Sequence, residues 1–354
     1  MKLVLISAGG TGGHIYPALS FAKALNADGV RTVFIGSDDR MESTLIPEEG
    51  YEFIPLHLPT TQGSLLNKVE YSINMIKAYL KCRKLLKEMK PDACVGFGNY
   101  ISVPLILAAS HLGIKTMISE QNSFAGKANV FLGKYADAVE LACESSKRDF
   151  DPDKTRVLGN PRTLELIDLQ KDDDLIRSYG IDPARPYVAV MMGSLGSATM
   201  SEVIDQACEL MDGFQVLIAA GRKNDYEFKC RKENVKIVPY VKGVLVLSSC
   251  DLAVCRAGAT TISELTMAGC ASILIPSPFV PNNHQVYNAM ELVNNGAALM
   301  IEEKDLSSER LAGDITGLME NETARMEMKK NAAALAKPHA AHNMVFWLKE
   351  ICSK

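Results

Sequence analysis

The feature that most constrains this chain is an alternation. Short apolar runs, most of them followed by glycine, are separated by segments with helical periodicity. In the first half the runs are KLVLISA, TVFIGS, DACVGFG, KTMISE and DAVELAC. In the second they are YVAVMMGS, FQVLIAAG, VKIVPY, DLAVCRAG, ASILIPS and AALMIEE. A run that is apolar at nearly every position reads as a strand buried on both faces. Stretches such as PALSFAKALNADG and TISELTMAG fall between the runs and stop near a glycine, as helices do. Strand and helix alternating at this spacing predict an α/β fold: doubly wound parallel sheets, helices on both faces, right-handed crossovers.

A chain of 354 residues exceeds one ordinary core. KLVLISAGGTGGH…PALSFAKAL and YVAVMMGSLGSATMSEVIDQACEL echo each other as strand, glycine turn and helix, so two similar domains are expected. The Gly-Asn-Pro break and polar run in GNPRTLELIDLQKDDD place the junction near Pro161, with domains over 1–160 and 161–338. Open parallel sheets bind ligands beyond the carboxyl ends of their strands. Two such domains facing each other would direct their glycine turns into one cleft.

Composition removes several classes. A formal charge of -4, with no arginine-rich tract, argues against a nucleic-acid binder. Nine cysteines without a C-x-x-C read as reduced buried thiols, not a disulfide frame or zinc site. Met1 runs straight into an apolar strand, and no uncharged run approaches the roughly 18 residues of a membrane span. The expectation is a cytosolic protein, in contact with a membrane surface at most.

AGGTGGHIYP, Ala8 to Pro17, sits where a phosphate loop belongs, after a strand and before a helix. Glycine admits an anion close to the backbone, and the helix N-terminus offers free N–H groups and a favourable dipole. A dinucleotide fingerprint starting at Gly10 would need glycine where Ile15 stands, and no Lys-Ser/Thr pair follows to make a Walker loop. A tight turn explains one or two of the glycines, and four less well. His14 lies at the helix mouth, where the dipole disfavours its charged form and should keep it neutral near pH 7. That suits a general base, and equally a histidine bonded to its own loop. GFGNYISVP and GSLGSA are a second and third glycine turn.

Other stretches carry polar groups to helix starts. In CRAGATTISELTMAG, Thr260 or Thr261 is read as a helix cap, and Glu264 is able to hold a ribose diol with both oxygens. PFVPNNHQVYNA places His284, Gln285 and Asn288 where a sugar or uracil edge, or simple capping, would use them. Asp151-Pro-Asp153 and Asp172-Asp-Asp174 match D-x-D but lie in polar, linker-like stretches, so no bound metal is expected. From Lys68 to Lys90 the helix SLLNKVEYSINMIKAYLKCRKLLKEMK has seven basic and two acidic residues. Its stripe of Leu65, Leu66, Val69, Ile73, Ile76, Tyr79, Leu80 and Leu86 either packs on its own domain or rests on anionic lipid.

GGTGGHIYPAL, GFGNYISVP, EQNSFAGKANVFLGKYAD, GNPR, GSLGSA, CRAGATTISEL and NNHQVYNA follow one another across the whole chain. Together they resemble the MurG family of bacterial N-acetylglucosaminyltransferases, in glycosyltransferase family 28. The resemblance implies a GT-B fold, two Rossmann-like domains around a cleft, with a C-terminal helix over 339–354 packing back on the first. It implies inverting transfer of GlcNAc from UDP-GlcNAc to the muramyl 4-hydroxyl of lipid I, giving lipid II, at the cytoplasmic face of the plasma membrane and without a metal or other cofactor. Thr11, Gly12 and Gly13 would then lie near the donor diphosphate and the acceptor, with His14 as the base. Asn122 would contact the donor sugar, and Arg162 and Ser194 the nucleotide and its phosphates. Val241 would offer its backbone to uracil. Ala259, Thr260, Thr261, Ile262, Ser263 and Glu264 would hold phosphate and ribose, and Gln285 the sugar hydroxyls. Four places depart from the family pattern: Ser119 where histidine is common, Asn99 in place of glycine, Leu195 and Ser197 in the third loop, and Lys242-Gly243 in place of acidic residues. Rival readings are another GT-B enzyme, an NAD-dependent oxidoreductase, and a non-catalytic nucleotide-sugar or membrane-adaptor module.

Overall fold

The computed structural model describes residues 1–58, 65–167, 170–192, 198–222 and 224–353, without the side chains of 65–69 and 198–199. The third glycine turn, with Ser194, Leu195 and Ser197, lies outside the described residues. The chain forms two compact units, Met1–Leu164 with Lys337–Lys354, and Glu165–Ala336.

The first unit holds β1 (Leu3–Ser7), β2 (Arg31–Ser37), β3 (Glu52–Leu56), β4 (Ala93–Gly96), β5 (Lys115–Glu120), β6 (Ala138–Leu141) and β7 (Thr155–Val157). They form one parallel sheet in the order β3-β2-β1-β4-β5-β6-β7. Its helices are α1 (Gly12–Ala27), α2 (Glu42–Glu48), α3 (Leu65–Met89), α4 (Val103–His111) and α5 (Lys127–Gly133). Successive residues of β1 feed opposite cores: Val4 and Ile6 pack with α1, and Leu5 with the α3 and α4 side. That double burial is why the strand is apolar throughout.

The second unit holds β8 (Tyr187–Met191), β9 (Gln215–Ala219), β10 (Val235–Val238), β11 (Leu252–Cys255), β12 (Ser272–Leu274) and β13 (Ala298–Met300). This parallel sheet runs β10-β9-β8-β11-β12-β13. Among the described residues the helices that accompany it are α6 (Asp173–Ser178), α7 (Ala198–Glu209), α8 (Gly243–Leu247), α9 (Ala259–Ala268), α10 (His284–Val293), α11 (Ser308–Glu320) and α12 (Glu322–Ala334). The chain then returns, and α13 (Ala340–Ser353) buries Met344, Val345, Trp347, Leu348 and Ile351 in the core beside α1. Each such side chain is worth about 1.5–3 kcal/mol when buried, which ties the C-terminal segment firmly to the first unit. Ion pairs at its rim, Lys349 to Asp28 at 2.8 Å and Arg156 to Glu350 at 3.0 Å, add little by comparison.

All eleven apolar runs contain strands. The edge strands β3 and β7 were not legible, because EFIPL and TRV are only partly buried and have no continuous apolar run. Pro55 sits inside β3, a place open to proline at a sheet edge. The stripe expected on α3 also divides differently. Ala78, Cys82 and Leu86 are its buried face, whereas Ile73, Ile76 and Leu80 are 47%, 60% and 57% exposed.

Candidate active site

In each sheet the chain winds away from the first strand in both directions, which opens a crevice at the strand ends where the order reverses. In the first unit that point lies between β1 and β4. The loops leaving these strands are the first two glycine turns, Ala8–Gly13 and Phe97–Asn99. The sheet topology therefore brings together two motifs that are far apart in sequence.

The four glycines of the first turn have different neighbours. A Cβ on Gly9 would fall 2.2 Å from Glu42 Oε1, and one on Gly12 would fall 2.9 Å from the Tyr16 ring. Gly10 has φ +86°, and a Cβ there would meet Asn99 Nδ2 at 2.2 Å. Gly13 differs: its nearest neighbour would be Thr11 Oγ1 at 3.6 Å, an ordinary contact. The fold thus calls for glycine at 9 and 10; at Gly12 only the partly exposed Tyr16 ring crowds the position, and at Gly13 nothing does.

Thr11 is the N-cap of α1, and its hydroxyl lies 3.2 Å from His14 Nδ1. The half-buried His14 ring is backed by the second loop, since a Cβ on Gly98 would come within 3.0 Å of His14 Cδ2 and 3.2 Å of Nε2. His14 Nδ1 thus faces the hydroxyl of its own loop while Gly98 packs close to Nε2. Asn99, the departure from glycine, adopts φ +62°. Its side chain offsets that strain by accepting from Tyr100 N at 2.6 Å and donating to Gly9 O at 3.4 Å, which links the two loops.

Behind these loops lies a polar cluster at the end of β5. The buried Glu120 carboxylate accepts from Asn122 N, Asn122 Nδ2, Gly126 N and Asn129 Nδ2 at 2.9–3.1 Å, so it shapes the loop that presents Asn122. Ser119 is fully buried; it donates to Glu140 Oε2 at 2.5 Å and accepts from Gln121 Nε2 at 2.7 Å, so its hydroxyl is consumed inside the unit. Burial pushes the Glu140 carboxyl well above the usual range, against the opposing Ser119 hydrogen bond, and nearby Glu120 pushes it further.

Arg162 belongs to the first unit, not to the second as a junction at Pro161 implied. Its guanidinium lies 5.1 Å from the centre of the Tyr16 ring, and Asn160 Oδ1 accepts from its backbone N–H at 3.0 Å.

In the second unit the order reverses between β8 and β11. The turn after β11 leads into α9, and Gly258 rather than a threonine is the N-cap. Neither Thr260 nor Thr261 caps the helix; Thr260 Oγ1 is buried with no hydrogen-bond partner among the described residues. Ser263 returns its hydroxyl to Ala259 O at 3.0 Å. Ile262 packs in the core, and its backbone N–H donates to Gly258 O at 2.9 Å, so it is engaged inside the unit. Glu264 lies beyond the first turn of α9. Arg256 is clamped to Glu303 at 2.7 Å and to Ile275 O at 3.2 Å, which ties the strand ends together. Gln285 Oε1 accepts from Ser277 N at 2.8 Å, which fixes the side chain against the loop after β12. Asn288 is buried and donates to Ala257 O, so it is a structural tie rather than a sugar contact. The side chain of Val241 packs in the core, and Lys242 N donates to Tyr179 OH at 3.1 Å. Arg222 stacks on the half-exposed Tyr240 beside it, with 4.4 Å between guanidinium carbon and ring centre.

Both D-x-D matches are caps. Asp151 accepts from Asp153 N at 3.0 Å, and Asp172 from Leu175 N at 2.9 Å.

Residues 4–140 match the glycosyltransferase family 28 N-terminal domain, and residues 187–344 match the family 28 C-terminal domain. The chain belongs to glycosyltransferase family 28. Family 28 relatives from Pediococcus pentosaceus and Lactiplantibacillus plantarum are 35% and 36% identical, over 98% of this chain and 99% of theirs. Both are UDP-N-acetylglucosamine–N-acetylmuramyl-(pentapeptide) pyrophosphoryl-undecaprenol N-acetylglucosamine transferases. The crystal structure of Acinetobacter baumannii MurG is similar at a TM-score of 0.82 and 27% identity, covering 99% of this chain and all of that one. A kitacinnamycin glycosyltransferase shares the fold alone, at 16% identity and a TM-score of 0.73. The architecture of this family 28 chain is that of the GT-B class.

The sequence did not reveal Glu42, Tyr16, Glu120 or Glu140 as parts of the site. Only Gly9 and Gly36, each too close to Glu42 to carry a Cβ, hinted at the first.

Proposed function

We propose that this chain is an inverting N-acetylglucosaminyltransferase. It moves GlcNAc from UDP-GlcNAc to the muramyl 4-hydroxyl of undecaprenyl-pyrophosphoryl-MurNAc-pentapeptide (lipid I), giving lipid II for peptidoglycan. The observation that supports this most is full-length similarity to transferases of that name, combined with a first unit whose two glycine turns meet at His14. In this mechanism His14 takes the proton of the acceptor hydroxyl as that oxygen attacks the anomeric carbon. The bond to UDP breaks on the opposite face, so the configuration inverts. The departing diphosphate is met by free N–H groups at the mouth of α9 and by hydroxyl and guanidinium donors. Thr11, Gly12 and Gly13 offer the same kind of anion site at the mouth of α1. Asn122, Arg162, Ser194, Val241, Glu264 and Gln285 keep the donor roles given above.

The acceptor's lipid requires a membrane, and the first unit offers a face for one. Ile73, Ile76 and Leu80 lie in an outward strip on α3, bordered by Lys77, Lys81, Lys84 and Lys87. Phe131 and Tyr135 add exposed aromatic surface, their rings 5.3 Å apart. Among the described residues no helix is long and apolar enough to cross a membrane. In our reading the unit rests on the anionic cytoplasmic leaflet through this strip.

The decisive test is transfer of labelled GlcNAc to a lipid I analogue. His14→Ala is expected to cut turnover by about two to four orders of magnitude while UDP-GlcNAc still binds by calorimetry. Wild-type turnover in this variant would remove His14 as the base.

A further inference from the structure

The carboxylate of Glu42 lies directly beneath the first glycine turn and is fully buried. Oε2 accepts from Gly10 N at 2.9 Å, and Oε1 accepts from Ser37 N at 3.2 Å. One side chain therefore ties the turn after β1 to the end of β2. Three observations indicate that the surroundings are built around this carboxylate. A Cβ on Gly9 would overlap Oε1, and a Cβ on Gly36 would come within 2.8 Å of Glu42 Cγ. In addition, Glu42 opens α2, so the positive end of that helix faces the buried charge.

A buried carboxylate is costly unless several donors meet it, and a purely structural tie between two loops can be made with neutral groups. Its effect here is specific. With the Gly10 N–H engaged by Glu42, the turn enters α1 at one angle, and the N–H groups of Gly12 and Gly13 are those left at the helix mouth. The same angle sets Thr11, and through Thr11 Oγ1 it sets His14. The geometry points to Glu42 as a positioning residue for His14, acting through Gly10 and Thr11 without touching substrate. This inference rests on the reading of His14 as the base.

Glu42→Gln keeps the shape of the side chain but turns an NH₂ group toward one of the two backbone donors. Gly36→Ala crowds Glu42 Cγ at 2.8 Å, together with the Phe53 ring at 3.0 Å and the Ala8 carbonyl at 3.2 Å, and leaves the carboxylate chemically intact. Each is expected to lower turnover about 10- to 100-fold, the scale of a misplacement near 1 Å, with UDP-GlcNAc affinity unchanged. In a His14→Ala background neither substitution should lower the residual rate further, because residues acting as one unit are not additive. Full turnover in Glu42→Gln would overturn the inference. So would a loss of the same factor with and without His14, which is the signature of a general structural role. If Glu42→Gln does not fold, as judged by thermal melting, Glu42→Asp, which keeps the carboxylate but is one methylene short of the two backbone donors, carries the test. Failure of the base reading shows separately, as wild-type turnover in His14→Ala alone.

Discussion

Gly13→Ala separates folding from function. A Cβ at Gly13 meets only Thr11 Oγ1 at 3.6 Å, and the residue lies in the first turn of α1 with an ordinary helical backbone. Alanine there removes conformational freedom from the unfolded chain, a gain of about 0.4–1 kcal/mol where the native backbone accepts it. In a unit of this size each kcal/mol shifts melting by about 2–4 °C, so the variant should melt roughly 1–4 °C higher. Activity should move the opposite way. An N–H group at a helix mouth must come within about 2.7–3.2 Å of a phosphate oxygen to bond it. A methyl group on the same residue competes for that space, and displacement of the ligand by about 1 Å costs on the order of 10²-fold. Calorimetric melting, together with kcat/KM for transfer to a lipid I analogue, checks both signs. A variant that melts lower, or that keeps kcat/KM within a few-fold of wild type, would refute the division of the four glycines.

Further outcomes follow from the buried acid and the exposed strip. The Glu140 carboxyl is raised in the folded chain above its ordinary value of 4.5. Its contribution to stability is therefore fully present below about pH 4.5 and is lost as pH rises through the raised value. Glu140→Gln, which mimics the protonated form, should flatten the fall in melting temperature that sets in above about pH 4.5 and raise that temperature on the alkaline side. A pH profile identical to wild type would contradict the assignment. Replacing Ile76 and Leu80 together with glutamate should release the protein from vesicles containing anionic lipid and leave UDP-GlcNAc binding intact. Unchanged co-sedimentation would place the membrane face elsewhere.

Much of the fold was legible because its signals are local. A strand covered on both faces must be apolar at successive positions, and a helix must stop where glycine lets the chain turn. Those rules located the eleven apolar strands, the two glycine turns of the first unit and His14 at the mouth of α1. They failed for β3 and β7, where a half-exposed edge imposes no apolar run. They also failed for α3, where the sequence stripe shows that a face is apolar but not what covers it.

The sequence by itself determined that this chain builds parallel sheets and sends glycine-rich turns from their strand ends into helices, since period and turn chemistry act within a few residues. The ordered motifs also carried the family. Only the tertiary structure decided what each residue of those turns is for. Gly9 makes room for a carboxylate from residue 42, Gly10 for an amide from residue 99, and Gly13 for nothing in the folded chain. Such assignments depend on which side chain arrives from a distant strand, and contact across that distance leaves no periodic trace in the sequence.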